Sequence, residues 1–250
     1  MLDLIRMDLW RMRHKRSFMV CLILAFVFAL IQTPLTELMQ MLLGAREAGQ
    51  EMAVSDVLKD AYPDFGAMLL FLAVCGFYYA DHEGGFIKNI AGQTPKRAYV
   101  ICSKFYATAF PVVAFALVGI AGSLLGALPF RRIVFDTGIP AALLNLLLKL
   151  LLAHAVCTIL LLIVSVLHLK PLGTTLAVFF GTGLIGLLYS AISAGFNKLF
   201  KSHFSLSDYM PDQLLVQTDP DLAIALASAA VTAALFLFLS VRIFNRRDVR

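Results

Sequence analysis

Six residues in the last third of the chain match a pattern that is associated with dinucleotide binding. Gly181 to Gly186 reads GTGLIG, which has the GxGxxG spacing. That pattern holds a pyrophosphate only where it follows a strand and opens an accessible helix. Here it lies in the middle of an apolar run that includes Phe179 and Phe180. We therefore interpret its glycines as positions of close helix packing, like Gly119, Gly122 and Gly126 in the third span.

Other catalytic signatures are missing from the sequence. The histidines are dispersed, at His14, His82, His154, His168 and His203, without an HExxH or paired-glutamate motif. The four cysteines form no CxxC pair, so neither a zinc site nor a disulfide framework is indicated. The sequence also lacks GxxxxGK[ST], the loop with which many ATPases hold phosphates.

Two ionisable residues, Lys149 and His154, interrupt a long apolar run. Lys149 is expected to extend outward to the membrane surface, which would place His154 in the outer third of the same span. For His154, a hydrogen bond between helices is favoured over a contact with substrate in a transport pathway, and both stay open. The apolar runs contain few other polar groups, and this disfavours a channel, a proton-coupled carrier or a membrane-embedded enzyme.

The elements that must position these residues follow from composition. The chain is 60% hydrophobic and only 15% charged, which is typical of an integral membrane protein. Runs of about 20 apolar residues, the length that crosses hydrocarbon as a helix, occur six times. We predict a single all-α domain over residues 1–250 with spans at Phe18–Gln40, Phe65–Ala80, Phe105–Leu128, Asn145–Leu167, Leu172–Ala194 and Leu222–Val241.

Basic residues indicate the orientation of these spans. Fourteen of the 21 lysines and arginines fall in the N-terminus, the second-to-third connection, the fourth-to-fifth connection and the C-terminus. Since such an excess marks the cytoplasmic side, both termini are predicted to be cytoplasmic in a multi-pass plasma-membrane protein. The net charge of +5 is then a signal of topology, and nucleic acid is not an expected partner.

Two segments outside the spans have a pattern of their own. Residues 1–16 place Leu2, Ile5, Leu9 and Met12 on one helical face, which predicts a helix lying in the membrane interface. Residues 195–221 contain too many aromatic and aliphatic side chains for a solvated loop. Short external helices that re-enter the interface, or a loop packed on its own spans, would account for them.

The least apolar stretch of the first half is the connection between the second and third spans, residues 81–104. Its first part, DHEGGFIKNI, can form a short helix that presents Phe86, Ile87 and Ile90 on one face. Pro95 then stands where a second helix begins. Apolar side chains on a cytoplasmic helix indicate a docked partner.

These residues resemble the first cytoplasmic loop of ABC-2 type permeases, the membrane subunits of one class of ABC transporters. That loop has an acidic residue, glycine, isoleucine, a basic residue and asparagine, followed by a proline, an arginine and a lysine. The matching residues are Glu83, Gly85, Ile87, Lys88, Asn89, Pro95, Arg97, Ser103 and Lys104. In that family the loop carries the coupling helix, which rests in a cleft of the ATP-binding subunit.

The resemblance implies six spans, a second permease copy in a homodimer or related heterodimer, and two separate ATPase subunits that bind ATP and Mg. It implies contact with the ATPase through the coupling helix at Glu83, Gly85, Phe86, Ile87, Lys88, Asn89 and Ile90, with a second cytoplasmic contact at His168 and Lys170. The chain itself is then expected to be no enzyme and to need no cofactor.

The expected function is that of a bacterial ATP-driven exporter subunit. Small permeases of this kind resemble exporters of amphipathic, antimicrobial or toxin peptides, or proteins that give immunity to them. A pathway lined mainly by Leu, Ile and Phe also suits drugs or lipid-like molecules. A membrane-embedded enzyme or sensor is the alternative from another class.

Overall fold

Helices make up most of the described chain, which covers residues 1–43, 51–62, 65–83, 98–200 and 205–246 of the computed structural model. We number them α1 to α11, with two short strands between them. Their bounds are α1 Leu2–Arg13, α2 Arg16–Leu42, β1 Glu51–Ala53, α3 Val54–Lys59, α4 Gly66–Glu83, α5 Ala98–Ala107, α6 Ala109–Ala127, β2 Arg132–Val134, α7 Ile139–Leu160, α8 Lys170–Gly181, α9 Ile185–Phe200, α10 Pro211–Val216 and α11 Leu222–Arg246. A π-helical segment, Leu161–Val166, continues α7, and a 3₁₀ turn, Leu206–Tyr209, precedes α10.

Several of these helices are long and apolar enough to cross a membrane. Within the described residues there are four such segments, at Arg16–Thr36, Ala98–Ala127, Ile139–Val166 and Leu222–Arg246. A fifth results if α8 and α9 are counted as one bent span. The apolar part of α4, Gly66–Ala80, is shorter. The structure is therefore compatible with the predicted all-α membrane protein, and each of the six apolar runs lies in a helix or helix pair.

The predicted fifth span is not a straight helix. α8 ends at Gly181, α9 begins at Ile185, and their axes differ by 84°. Gly183 lies at the bend with φ +71°, a left-handed conformation that glycine adopts without steric cost. The prediction of a span over Leu172–Ala194 did not include this bend, because hydropathy measures how apolar a run is and does not register its direction.

The two strands were not predicted. β1 and β2 pair in parallel over three residues each, with Met52 opposite Ile133. Asp136, which follows β2, accepts hydrogen bonds from the backbone N–H of Ser55, at 3.2 Å, and of Gly138, at 2.9 Å. Hydrogen bonds from Ser55 and Gly138 hold the pKa of the Asp136 carboxyl below its ordinary value. The carboxylate thereby ties the start of α3 to the loop before α7.

The core of the bundle is built around α4. Its side chains Leu70, Phe71, Val74 and Phe77 are fully buried against α2, α7 and α8. α2 and α11 lie at the periphery, with most of their apolar side chains exposed. An apolar belt that faces outward is what a lipid environment requires.

The bundle has two ends of different composition. At one, which we call the basic end, α1 packs on α5, Lys15 reaches the carbonyl of Gly76 in α4, and Lys170 at the start of α8 contacts Tyr79 of α4. At the other, the acidic end, α3 and the strands meet the first half of α7, α10 and the link before α11. Residues predicted to share a side of the membrane lie at the same end of the bundle.

Candidate functional site

The basic end holds α1 against the bundle through a buried carboxylate. Asp8 is only 3% exposed, and its Oδ2 accepts a hydrogen bond from Ser103 Oγ of α5 at 2.7 Å. Arg11 Nη1 lies 3.8 Å from the other carboxylate oxygen of Asp8. Partial burial lowers the pKa of the Arg11 guanidinium, and the Asp8 charge acts in the opposite direction. α1 is thus joined to α5 by a hydrogen bond to a charged group, which is stronger than a neutral one.

Sequence reasoning had not singled out Asp8. It stands between Ile5 and Met12 on the face that was predicted to be apolar, at helical spacings that bring the three side chains together. A carboxylate in that position is the signal that could have found it. Met12 of the same face is buried as expected, whereas Leu2 is exposed.

Two lysines contact α4 from other elements. Lys104 does so from α5, and Lys15 does so from the turn before α2. Lys104 was expected in the cytoplasmic loop, but the structure places it within α5, 1% exposed, with its ammonium 5.1 Å from the ring centroid of Phe77. Lys15, in the turn between α1 and α2, donates a hydrogen bond to the carbonyl of Gly76. Both lysines therefore contribute to packing of the bundle rather than to a solvated loop.

The predicted second cytoplasmic contact also lies at the basic end. His168 has φ +62° in the turn before α8, and Lys170 begins that helix with its ammonium 4.0 Å from the ring centroid of Tyr79. Cys75 Sγ of α4 lies 3.5 Å from the carbonyl oxygen of Gly173. The His168–Lys170 turn consequently packs on the last two turns of α4.

The predicted coupling helix lies largely outside the described residues. This applies to Gly85, Phe86, Ile87, Lys88, Asn89 and Ile90, whereas Glu83 is the last residue of α4. The described chain ends before this segment at Glu83 and resumes at Ala98, and both positions belong to the basic end.

His154 does not make the expected interhelical hydrogen bond through Nδ1. That atom is buried without a hydrogen-bond partner in the described part of the chain. Its ring instead packs edge-on against Phe105, with 4.5 Å between the centroids. The structure brings His154 together with neither His168 nor Lys170, so the three residues do not form one site.

The acidic end contains a polar network on the far side of the bundle. Lys59 Nζ lies 3.1 Å from Asp219 Oδ2, and Asn145 Nδ2 donates to Asp219 Oδ1 at 3.0 Å. The interactions with Lys59 and Asn145 hold the pKa of Asp219 below its ordinary value. Lys149, one turn after Asn145 on α7, was expected to extend outward, but it is only 3% exposed. α3 and the residues after it cover this side chain.

Two cavities flank this network. One, of about 220 Å³, is lined by residues of α2, α3 and the loop before β2, among them Thr36, Asp60 and Arg131. The other, of about 210 Å³, lies between Lys149, Asp60 and the end of α8. No three His, Cys, Asp or Glu side chains converge as a metal-binding group within the residues that the structure describes.

No model of a known protein family matches the chain, and a search of curated proteins found no match either. The basic end joins α1 to α5 and the start of α8 to α4. The acidic end supplies the cavities.

Proposed function

We propose that the chain is the transmembrane subunit of an ATP-driven exporter of the ABC-2 type. It would act as a homodimer or related heterodimer with two copies of a separate ATPase subunit, which binds ATP and Mg. The observation that carries the proposal is the basic end, where α4, which ends at Glu83, contacts Lys170 and α5, which begins at Ala98, contacts α1. The motif that resembles a coupling helix falls within the connection between α4 and α5.

The packing around the connection is suited to transmitting force. α4 leads directly from the connection into the core, where Phe71, Val74 and Phe77 are fully buried. The second half of this helix contacts Lys15, in the turn between α1 and α2, and Lys170 and Gly173 of α8. A displacement of the connection would therefore move several helices together, because close-packed interiors transmit strain.

The proposal includes six membrane crossings with both termini in the cytoplasm. α4 and α8 are the short crossings, and α9, the 3₁₀ turn and α10 form the external segment. That segment then begins at the bend after Gly181 rather than at Gly195. Leu214 and Leu215 of α10 are buried against the bundle, while Phe196 and Leu199 of α9 are exposed.

We further propose that the cargo is an amphipathic peptide, such as a toxin or antimicrobial peptide. The outward apolar faces of α2, α9 and α11 support a route that an apolar molecule can follow. Drugs or lipid-like molecules are the second candidate, since the same surfaces would accept them. Cells with the chain and its ATPase should secrete or tolerate the peptide, and cells without them should not.

The coupling segment provides the direct test of the proposal. Ile87→Asp should weaken capture of the ATPase by about tenfold or more, because it places a charge where an apolar side chain is expected to be buried. Lys88→Ala is the matched control, with an expected loss of about 0 to 1 kcal/mol for a contact at the rim. Retained ATPase and transport-coupled hydrolysis are measured after both variants have been purified from membranes.

The outcomes separate the proposal from its alternative. A folded Ile87→Asp protein that keeps its partner and its coupled hydrolysis would rule out the segment as the coupling element. Micromolar ATP binding by the purified chain alone would contradict the assignment as a subunit without nucleotide site. An enzyme or sensor would instead be indicated if no ATPase is captured by the unmodified protein.

A further inference from the structure

The cavity of about 210 Å³ at the acidic end is lined by both signs of charge. Lys149 contributes an ammonium group and Asp60 a carboxylate, with Tyr62 and Thr182 on the same wall. The Tyr62 hydroxyl donates to the carbonyl of Val112 at 2.8 Å, which fixes the wall of the cavity against α6. Burial raises the pKa of Tyr62. The cavity is thus a built recess rather than a gap between mobile side chains.

Lys149 is the unusual group in this recess. It is buried within an apolar helix, a position that is unfavourable for a lysine unless a partner compensates for its charge. Its ammonium has no hydrogen bond or close ion pair among the described residues, although the carboxylates of Asp60 and Asp219 lie within electrostatic range. Asp219 is already engaged by Lys59 and Asn145. A buried, under-coordinated ammonium that faces a cavity favours an anionic ligand.

Other groups that line the same cavity favour a cation. Gly181 and Thr182, at the bend between α8 and α9, line the cavity. The last carbonyl groups of a helix have no partners within the helix and carry partial negative charge. Asp60 adds a full negative charge beside them. Broken helices of this kind line the binding sites of many membrane transporters.

Apolar residues also line the cavity. One of them, Val216, is 60% exposed, and its Cγ2 lies next to Gly183. Leu184, the residue after Gly183, is also exposed. These exposed apolar side chains are suited to contact with acyl chains.

We propose that this cavity binds the headgroup of a zwitterionic phospholipid of the phosphatidylethanolamine type. The phosphate lies against Lys149, the primary ammonium lies between Asp60 and the end of α8, and the acyl chains leave past Val216 and Leu184. A simple anion would be repelled by Asp60 and a simple cation by Lys149. A ligand whose phosphate and ammonium groups are two carbons apart can bind Lys149 and Asp60 at the same time. The inference does not depend on the proposed transport function.

The test uses the purified full-length chain in detergent and native mass spectrometry with three probes. These are phosphatidylethanolamine, phosphatidylglycerol, which lacks the ammonium, and glycerophosphoethanolamine, which lacks the acyl chains. The unmodified protein should bind phosphatidylethanolamine about tenfold more tightly than either of the others. Lys149→Met should lose about tenfold in affinity for it, because the methionine keeps the length of the side chain and removes the charge.

Asp60→Asn tests the proposed contact with the lipid ammonium independently of Lys149. Asp60 is exposed, so this variant is expected to fold, and it should reduce the preference for phosphatidylethanolamine over phosphatidylglycerol. Lys198→Met, on the exposed surface of α9, is the matched control and should bind like the unmodified protein.

Unchanged selectivity in Asp60→Asn, or unchanged affinity in a folded Lys149→Met, would overturn the proposal. Equal binding of glycerophosphoethanolamine and of the lipid would overturn the lipid as the source of the headgroup.

Discussion

Single buried charges determine how the helices of this protein are held together. Asp8, Lys104 and Lys149 are each at most 3% exposed, in elements whose other buried side chains are mainly apolar. A charge in such a place is retained only where a partner compensates for its lost hydration. For Asp8 the compensation includes Ser103, so α1 has a specific position on α5 rather than a loose association with the bundle.

The hydrogen bond between Ser103 and Asp8 should be measurable as stability. Ser103→Ala removes the donor and leaves the carboxylate buried, which is expected to cost about 1 to 3 kcal/mol of unfolding free energy. Ser190→Ala is the matched control, because Ser190 is exposed and donates only within its own helix, to Gly186. Unfolding in denaturing detergent is compared for the two variants. Equal stability would show that the bond contributes nothing to the attachment of α1.

At the scale of elements, α2 and α6 pack closely on each other. A Cβ atom added at Gly122 would lie 2.7 Å from Ala29 Cβ, and one at Gly126 would lie 2.5 Å from the carbonyl oxygen of Leu30. The contact at Gly126 is with backbone, which cannot move aside as a flexible side chain can. These positions confirm the interpretation of the glycines in α6 as sites of close packing.

Gly126→Ala and Gly195→Ala form a matched pair for this contact. In a helix, replacing glycine by alanine raises the free energy of unfolding by about 0.5 to 1 kcal/mol. At Gly195 nothing lies within 4 Å of the added Cβ, so only that gain is expected. At Gly126 the added methyl group would overpack against Leu30, which should lower the free energy of unfolding by about 1 to 3 kcal/mol and so outweigh the helical gain. The midpoints of detergent unfolding would then shift in opposite directions, and a shift in the same direction would contradict the close contact.

The elements also show what sequence reasoning can reach. Helix positions follow from hydropathy, since a run such as Leu222–Val241 is stable in lipid only as a helix. The bend after Gly181 does not follow, because its flanks are equally apolar and the glycines there fit either packing or a bend. The burial of Lys149 depends on α3, which is far away in sequence. Three-residue strands such as Glu51–Ala53 are too short for a periodic pattern.

At the scale of the whole molecule, the unequal distribution of charge predicts a sidedness. Cys102, in the first turns of α5 at the basic end, is partly exposed. It should react with a membrane-impermeant thiol reagent in inverted vesicles and not in intact cells, because basic ends face the cytoplasm. A cysteine introduced by Asp208→Cys, at the exposed 3₁₀ turn of the acidic end, should show the opposite pattern when Cys102 is replaced by Ser. Labelling of Cys102 from outside intact cells would reverse the orientation.

The shortness of α4 and α8 has an electrical consequence. The 15 apolar residues of Gly66–Ala80 rise about 22 Å, compared with about 30 Å of hydrocarbon in a bilayer. The polar cavity beside Lys149 opens near the start of α4, at Ala67. In the proposed six-span arrangement, a water-filled recess at this end would concentrate the membrane voltage across the thinner remaining protein. The electric field along α4 would then be steeper than in the surrounding lipid, and a charge displaced there would do more electrical work for each ångström that it moves.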